Sequence, residues 1–220
     1  MKMFEKIWKR SKVPKELPSL CFGWHHSLVK VKNEIRHGAF VNIYHMHPGS
    51  TNYYLNPLWA FGDETIYLEL QWGEKCQTME RLLELLENKM VVAFPPNNTQ
   101  VVEIMRVVYR VTDIDSRISE DDLILEIKDI WKQLRNEPDS LTSSRLAVRK
   151  YCDNPTQENL LLLKEIYFSM PRQKRTALIN MDTKDHLVKN LFKSQSEKDL
   201  QLATERLKEE INYSWGKGSF

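Results

Sequence analysis

The sequence predicts an α+β protein, with an N-terminal half that mixes a small β-sheet with helices and a C-terminal half that is an all-helical bundle. Two observations predict this class. Alternation of apolar and polar residues, typical of strands, occurs only before about residue 115, whereas apolar spacings of three and four continue to the C-terminal part. The chain is also 41% hydrophobic and 28% charged, as a globular protein is. We therefore expect two subdomains, residues 1–115 and 116–220.

The N-terminal half is expected to begin with two helices. Basic and apolar residues between positions 3 and 8 have the spacing of a short amphipathic helix. Apolar residues, among them Leu28 and Ile35, continue at helical spacing over residues 24–36, and Gly38 follows as a C-cap. These patterns predict helices on both sides of a proline-containing break.

Strands are predicted where β-branched and aromatic residues alternate or cluster. Residues 39–47 and 65–72 show the clearest alternation, and residues 90–94 form a short apolar run that two prolines end. Thr78 is expected to cap a helix between the last two strands. Residues 101–111 are rich in valine, but their charged residues recur three and four apart, so we expect a helix there.

The C-terminal half shows helix start signals in succession. Ser119 and Asp122 resemble a capping box, and the helix that they open should end before Pro138. Further helices are expected from Ser140 or Ser143 to residue 152, and over residues 156–170, 171–181, 182–193 and 196–213. The short loops between them favour a compact bundle.

Charge and cysteine content limit the class of function. The net charge of +2 is too small to indicate nucleic acid or a membrane surface, although residues 1–20 carry +4 and residues 61–100 carry −4. Three separated cysteines indicate free thiols, and we expect a cytoplasmic protein. Apolar runs are far shorter than the roughly 18 residues that a membrane span needs, and no secretory signal pattern occurs. We therefore expect no membrane association.

The histidines are the first candidate site. Five of the six lie between residues 25 and 47, and imidazole suits both proton transfer and metal binding. His45 and His47 should share one face of a strand, with His25 as a third candidate catalytic group. No carboxylate at a recognised spacing accompanies them, so no metal and no cofactor is predicted. The alternative is that these rings are structural, with their nitrogens satisfied by the backbone.

The aromatic residues are the second candidate site. Eight of the chain's 22 lie within residues 40–72, and aromatic side chains line pockets and interfaces because they bring large area at low entropy cost. The segment after His47 has no periodicity and is rich in Asn and Pro, which indicates a loop. We expect Tyr44, Tyr53, Tyr54 and Trp59 to contact a partner. The alternative is that they fill a small core.

The third candidate site is basic. Arg172, Lys174 and Arg175 lie in the first turns of a predicted helix, where cations oppose the helix dipole. A phosphate-bearing or acidic partner would explain them, whereas the alternative is a solvated face. No glycine-rich phosphate loop supports the idea.

These observations lead to two hypotheses about function. The first is an intracellular interaction or regulatory protein that binds a macromolecular partner through an aromatic and histidine-rich surface, with a protein as the expected partner and nucleic acid as the alternative. The second is a histidine-dependent enzyme that acts on a phosphodiester or nucleotide, with His45 and His47 either as an acid/base pair or as metal ligands. No recognised motif for nucleophilic catalysis occurs, which favours the first. The sequence assigns no oligomeric state.

Overall fold

The computed structural model describes residues 24–31, 33–70, 72–96, 99–102, 108–110, 119–179 and 185–215, and it confirms the α+β class. The strands are β1 (His25–Val31), β2 (Glu34–Met46), β3 (Tyr53–Phe61), β4 (Ile66–Glu69), β5 (Lys75–Cys76), β6 (Val91–Val92), β7 (Gln100–Val102) and β8 (Val108–Arg110). The helices are α1 (Met79–Glu87), α2 (Glu120–Leu134), α3 (Ser140–Asp153), α4 (Gln157–Phe168), α5 (Arg172–Arg175), α6 (His186–Lys193) and α7 (Glu197–Ser214). The helix predicted near residues 3–8 lies outside the described residues.

The chain divides into two compact units, Met1–Leu123 and Ile124–Phe220. The first contains the sheet and the second contains helices. The predicted subdomain boundary at residue 115 stays a prediction. None of the described helices combines the length and the apolar character that crossing a membrane requires.

The sheet is a meander in which β1 to β5 are neighbours in chain order and pair antiparallel. β6 pairs with β2, and β7 runs parallel to β3 and pairs with β8. One face of the central strands is apolar and fully buried, with Ala39, Val41, Ile43, Leu58, Ala60, Ile66 and Leu68. Strand alternation therefore directs this face into the core and the other face outward at one end of the sheet.

The helix predicted over residues 24–36 is wrong, because these residues form the β1–β2 hairpin. Leu28 and Ile35 have helical spacing but are 67% and 73% exposed. Neither side chain is buried in a core, so hydrophobic burial does not stabilise a helix here. Gly38 lies within β2 and is not a helix cap. A Cβ atom there would come within 2.8 Å of the Ala60 carbonyl oxygen and of the Phe61 ring, so the close approach of β3 explains the glycine.

The helix predicted over residues 101–111 is also wrong for the part that the structure describes. β7 and β8 lie there, and residues 103–107 are outside the described residues. Val101 is buried in an apolar cluster with Tyr44, Tyr53, Leu55 and Val92. Pairing with β3 and burial in this cluster outweigh the helical spacing of the charged residues.

The segment after His47, expected as a loop, contains the nine-residue strand β3. Its Pro57 lies between the part of β3 that pairs with β7 and the part that pairs with β4. A proline has no N–H to donate, and β2 is the only described strand that pairs with β3 at this residue. The Asn56 side chain bridges the gap by donating to the Glu69 carbonyl oxygen at 2.6 Å.

The remaining strand and helix starts agree with the sequence. Residues 66–69 and 91–92 are strands, although shorter than predicted. Thr78 accepts a hydrogen bond from the Arg81 N–H and caps α1, and Ser119 accepts from the Asp122 N–H before α2. Each hydroxyl satisfies a backbone donor that has no partner within its helix.

The helical unit is built in the same way. The side chains of Asp139, Thr156 and Ser196 cap α3, α4 and α7. Its core includes Val148, Tyr151, Leu163, Tyr167, Met170, Leu178, Val188, Leu191 and Leu207. The helix expected over residues 171–181 is only the four-residue α5, and α6 begins at His186, so both are shorter than predicted.

Candidate functional site

One aromatic side chain from each of four adjacent strands lies in a line across the sheet. His25 pairs in register with Phe40, Phe40 with Trp59, and Trp59 with Tyr67. Residues directly opposite each other in an antiparallel pair project from the same face. The ring centroids are 5.3 Å apart for His25 and Phe40 and 4.7 Å apart for Phe40 and Trp59. We call these four residues the aromatic row.

The aromatic row is accessible from outside. His25 is exposed, and Phe40, Trp59 and Tyr67 are each half-buried. Large rings that are held by neighbouring rings but still reach solvent bring contact area at little cost in side-chain entropy.

Polar groups border the aromatic row. The Tyr67 hydroxyl donates to the Glu69 carboxylate at 2.9 Å, and burial together with this carboxylate raises the pKa of Tyr67. The exposed Asn42 lies on the same face, two residues after Phe40. Apolar rings beside hydrogen-bonding groups are the usual composition of an interface.

The structure separates the four tyrosine and tryptophan residues that the sequence singled out. Trp59 belongs to the aromatic row. Tyr44 and Tyr53 are buried in the cluster around Val101, so they support the sheet and do not form an exposed surface. Tyr54 pairs with His45 and lies on the opposite face of the sheet from Trp59.

His45 is buried on the core face. Its side chain has 0% exposure, and neither ring nitrogen has a hydrogen-bond partner among the described residues. The ring contacts Tyr54 and Trp72, at centroid distances of 5.7 and 5.8 Å. Burial, and to a lesser degree the charge of His47, lower the pKa of His45 to about 4. The neutral imidazole is therefore the form that the folded protein holds at neutral pH.

The three candidate histidines do not converge. His47 is exposed, with its Nδ1 atom 2.7 Å from the Pro48 carbonyl oxygen, and it meets Trp72 edge to face. His25 lies opposite Phe40 of β2. Phe40 precedes His45 by five residues, so His25 and His45 are separated by about 17 Å along the strand direction. Among the described residues, no group of three or more His, Cys, Asp or Glu side chains could hold a metal ion. The hypothesis of a histidine-dependent enzyme stays a prediction.

Lys174 from the predicted basic site is half of a buried ion pair. Its Nζ atom lies 2.8 Å from Asp129 Oδ2 and 3.4 Å from Asp139 Oδ2, and the Asp129 side chain is only 3% exposed. Asp129 also accepts hydrogen bonds from the backbone N–H and the hydroxyl of Ser140. Burial opposes the charge of Lys174, but the hydrogen bond and charge of Asp129 outweigh it and raise the lysine pKa. Lys174 therefore neutralises a carboxylate inside its own unit.

Arg175 serves the end of the preceding helix. Its guanidinium donates to the carbonyl oxygens of Met170 at 2.9 Å and of Phe168 at 3.2 Å, and it lies 5.1 Å from the Tyr167 ring centroid. The last carbonyls of a helix lack intrahelical partners and attract cations. Arg175 opposes the dipole of α5 but interacts favourably with the C-terminal end of the dipole of α4. Arg172 is exposed at the start of α5.

Sequence reasoning missed Phe40 and Tyr67, and it treated His25 as a catalytic group. Alternation alone places Phe40 on the opposite face of its strand from Val41, and Tyr67 on the opposite face from Leu68. The missing information was the register between strands, which no local pattern contains. The one sequence signal for the aromatic row is that its strands carry aromatic residues at positions that alternate with the buried apolar residues.

Two family models match the chain. The model of a domain of unknown function (DUF7638) matches residues 27–138, just over half of the chain, and includes three of the four residues of the aromatic row. The model of a second domain of unknown function (DUF7639) matches residues 139–214. No curated protein and no solved structure matches the chain.

Proposed function

We propose, for a chain that belongs to the DUF7638 family of domains of unknown function, that its sheet-bearing unit binds a peptide segment of a protein partner across the aromatic row. The observation that carries the proposal is the register of His25, Phe40, Trp59 and Tyr67, which places four accessible rings side by side on four strands. Tryptophan and tyrosine, two of these four residues, are among the side chains that contribute most to the affinity of protein interfaces.

The charge around the aromatic row favours a peptide over a nucleic acid. The described residues between 24 and 96 include five Lys or Arg and eight Asp or Glu. Binding a single-stranded nucleic acid by stacking also needs cations along the phosphate backbone. The basic residues that the sequence offered in the helical unit do not supply them, because Lys174 is paired with Asp129 and Arg175 is bonded to backbone carbonyls.

A cytoplasmic, reducing setting is part of the proposal. Cys76 and Cys152 are free and buried, and burial raises the pKa of each thiol to about 11. Protonated, shielded thiols support a protein that does not depend on disulfides.

The proposal is tested by panning a phage-displayed library of random 12-residue peptides on the full chain. Selected peptides should lose at least about tenfold in affinity for Trp59→Ala, because an interface tryptophan near the centre of a contact is a typical hot spot. Tyr213→Ala is the matched control, since Tyr213 is 87% exposed on α7 and should not alter binding.

Thermal unfolding of each variant, followed by circular dichroism, separates loss of the surface from loss of the fold. The proposal is wrong if panning enriches no peptide. It is also wrong if the selected peptides bind folded Trp59→Ala as tightly as they bind the original chain.

A further inference from the structure

A cavity of about 500 Å³ adjoins the end of the aromatic row. Its lining includes Val31 and Glu34 at the β1–β2 turn, Arg36 on β2, and Ile66 and Tyr67 on β4. Tyr67 thus belongs both to this cavity and to the aromatic row. The volume falls in the range of ordinary ligand pockets and exceeds what one side chain needs.

The positive charge in this cavity is already neutralised. The Arg36 guanidinium pairs with the Asp63 carboxylate at 2.6 Å, donates to the Thr65 hydroxyl at 3.1 Å and stacks 3.9 Å from the Phe61 ring centroid. Against the effect of burial, the hydrogen bonds from Thr65 and Arg36 lower the pKa of Asp63. Arg36 therefore offers little attraction for an added anion.

The negative charge in the cavity is not neutralised in this way. Glu34 is exposed on the cavity rim, and none of the described cations forms an ion pair with it. With Arg36 paired to Asp63, Glu34 is the charged residue of the described lining that has no ion pair, and its carboxylate favours a cation.

The walls of the cavity suit an aliphatic stem beneath that cation. Val31 is a buried apolar residue, and it lies on the same face of the sheet as Tyr67, which also lines the cavity. Lysine and arginine bury their methylene stems against apolar surface while the charged head reaches a polar partner. Both heads are also attracted to an aromatic face.

We infer that this cavity receives a lysine or arginine side chain of the peptide bound on the aromatic row. The inference rests on the proposed function, because Tyr67 connects the two surfaces and a peptide that crosses the row from His25 reaches the cavity at that residue. The stem packs on Val31 and Tyr67, and the cationic head pairs with Glu34.

The test uses a small probe that does not depend on the aromatic row. The ¹⁵N-labelled full chain is titrated with N-acetyl-lysine methylamide, with the norleucine analogue as the uncharged control, and amide shifts are followed by NMR. The lysine probe should shift amides at Val31, Thr65, Ile66 and Thr78. Glu34→Gln should weaken this binding about fivefold or more, whereas Glu80→Gln, an exposed glutamate on α1, should leave it unchanged.

The outcomes separate the two proposals. The cavity assignment is overturned if the lysine probe shifts none of these amides, if the norleucine analogue binds equally well, or if Glu34→Gln binds as the original chain does. Trp59→Ala should keep the probe while it loses the selected peptides. If peptides depend on Trp59 and the probe does not bind, the aromatic row stands and the cavity assignment fails.

Discussion

The aromatic cluster of the sheet and the basic cluster of the helical unit are equally clear in the sequence. In the structure, three aromatic side chains are accessible to solvent, whereas two basic side chains are bound to groups of their own unit. Phe40, Trp59 and Tyr67 of the sheet reach solvent on one face. Lys174 and Arg175 of the helical unit turn toward a buried carboxylate and toward helix carbonyls. A cluster of one residue type therefore indicates a site only where the rest of the fold leaves its groups uncompensated.

The physical reason for the difference lies in reach. Lysine and arginine have long stems that let the charge find a partner within its own unit, and a buried carboxylate such as Asp129 requires one. An aromatic ring on a strand has two rotatable bonds, so the pleat decides whether it faces the core or the solvent. Phe40, Trp59 and Tyr67 reach solvent because this part of their face is uncovered, whereas Tyr44 and Tyr53 on the same face are buried in the cluster around Val101.

The largest expected effect tests the claim that Lys174 is bound within its own unit. Lys174→Met should lower the free energy of unfolding by about 3–5 kcal/mol, because it leaves Asp129 buried without a neutralising partner. Urea unfolding at neutral pH measures the loss, and Lys164→Met, at an exposed position of α4, should change it by less than about 0.5 kcal/mol. A loss below about 1 kcal/mol would contradict this role, and Lys174 would again be a candidate phosphate ligand.

The next largest effect concerns the inward face of the sheet. The folded pKa of His45 is about 4, below its ordinary value near 6.5, so the unfolded chain binds a proton more readily than the folded chain between these values. Its stabilisation is complete above pH 6.5 and is lost as the pH falls toward 4, by up to about 3 kcal/mol. Urea unfolding at pH 7 and pH 4.5 should show this loss.

His45→Leu supplies the reference for that measurement. The variant removes the titrating group, and the loss between the two pH values should shrink by about the His45 contribution. An unchanged pH dependence in His45→Leu would mean that the imidazole is not held neutral by burial, and that the two faces of the sheet differ less than described.

Gly38 tests the packing that brings β2 and β3 together beneath the aromatic row. Gly38→Ala should cost about 1–3 kcal/mol, because the new methyl group meets the Ala60 carbonyl and the Phe61 ring. Asn42→Ala, at an exposed position of the same strand, is the control and should stay within about 0.5 kcal/mol. Equal stability of the two variants would argue against this close approach.

The smallest effect distinguishes the hairpin from the helix that the sequence predicted. Leu28→Thr should change the free energy of unfolding by less than about 0.5 kcal/mol, since Leu28 is exposed on a strand where β-branched residues are favoured. Ile66→Thr, at a buried position of β4, should cost at least about 2 kcal/mol in the same denaturation experiment. A large loss at Leu28 would place this side chain in a core.

The sequence by itself determined those elements that are stabilised by residues near them in the chain. The side chains of Thr78, Ser119, Thr156 and Ser196 satisfy donors within their own first turns, so a helix start can be found from a few consecutive residues. Alternation likewise identified β4 and divided the residues of β2 between two faces, because a strand's two faces follow from the period alone.

Only the tertiary structure decided the hairpin, β7 and the candidate site. Val101 reads as helical by spacing but gains more from pairing with β3, and Phe40, Trp59 and Tyr67 become one surface only through the register of three strands. The roles of Lys174 and Glu34 likewise depend on which opposite charges the fold brings near them. The sequence alone therefore settled the α+β class and the helix caps. Long-range pairing, whose free energy depends on residues distant in the chain, settled which clusters reach solvent.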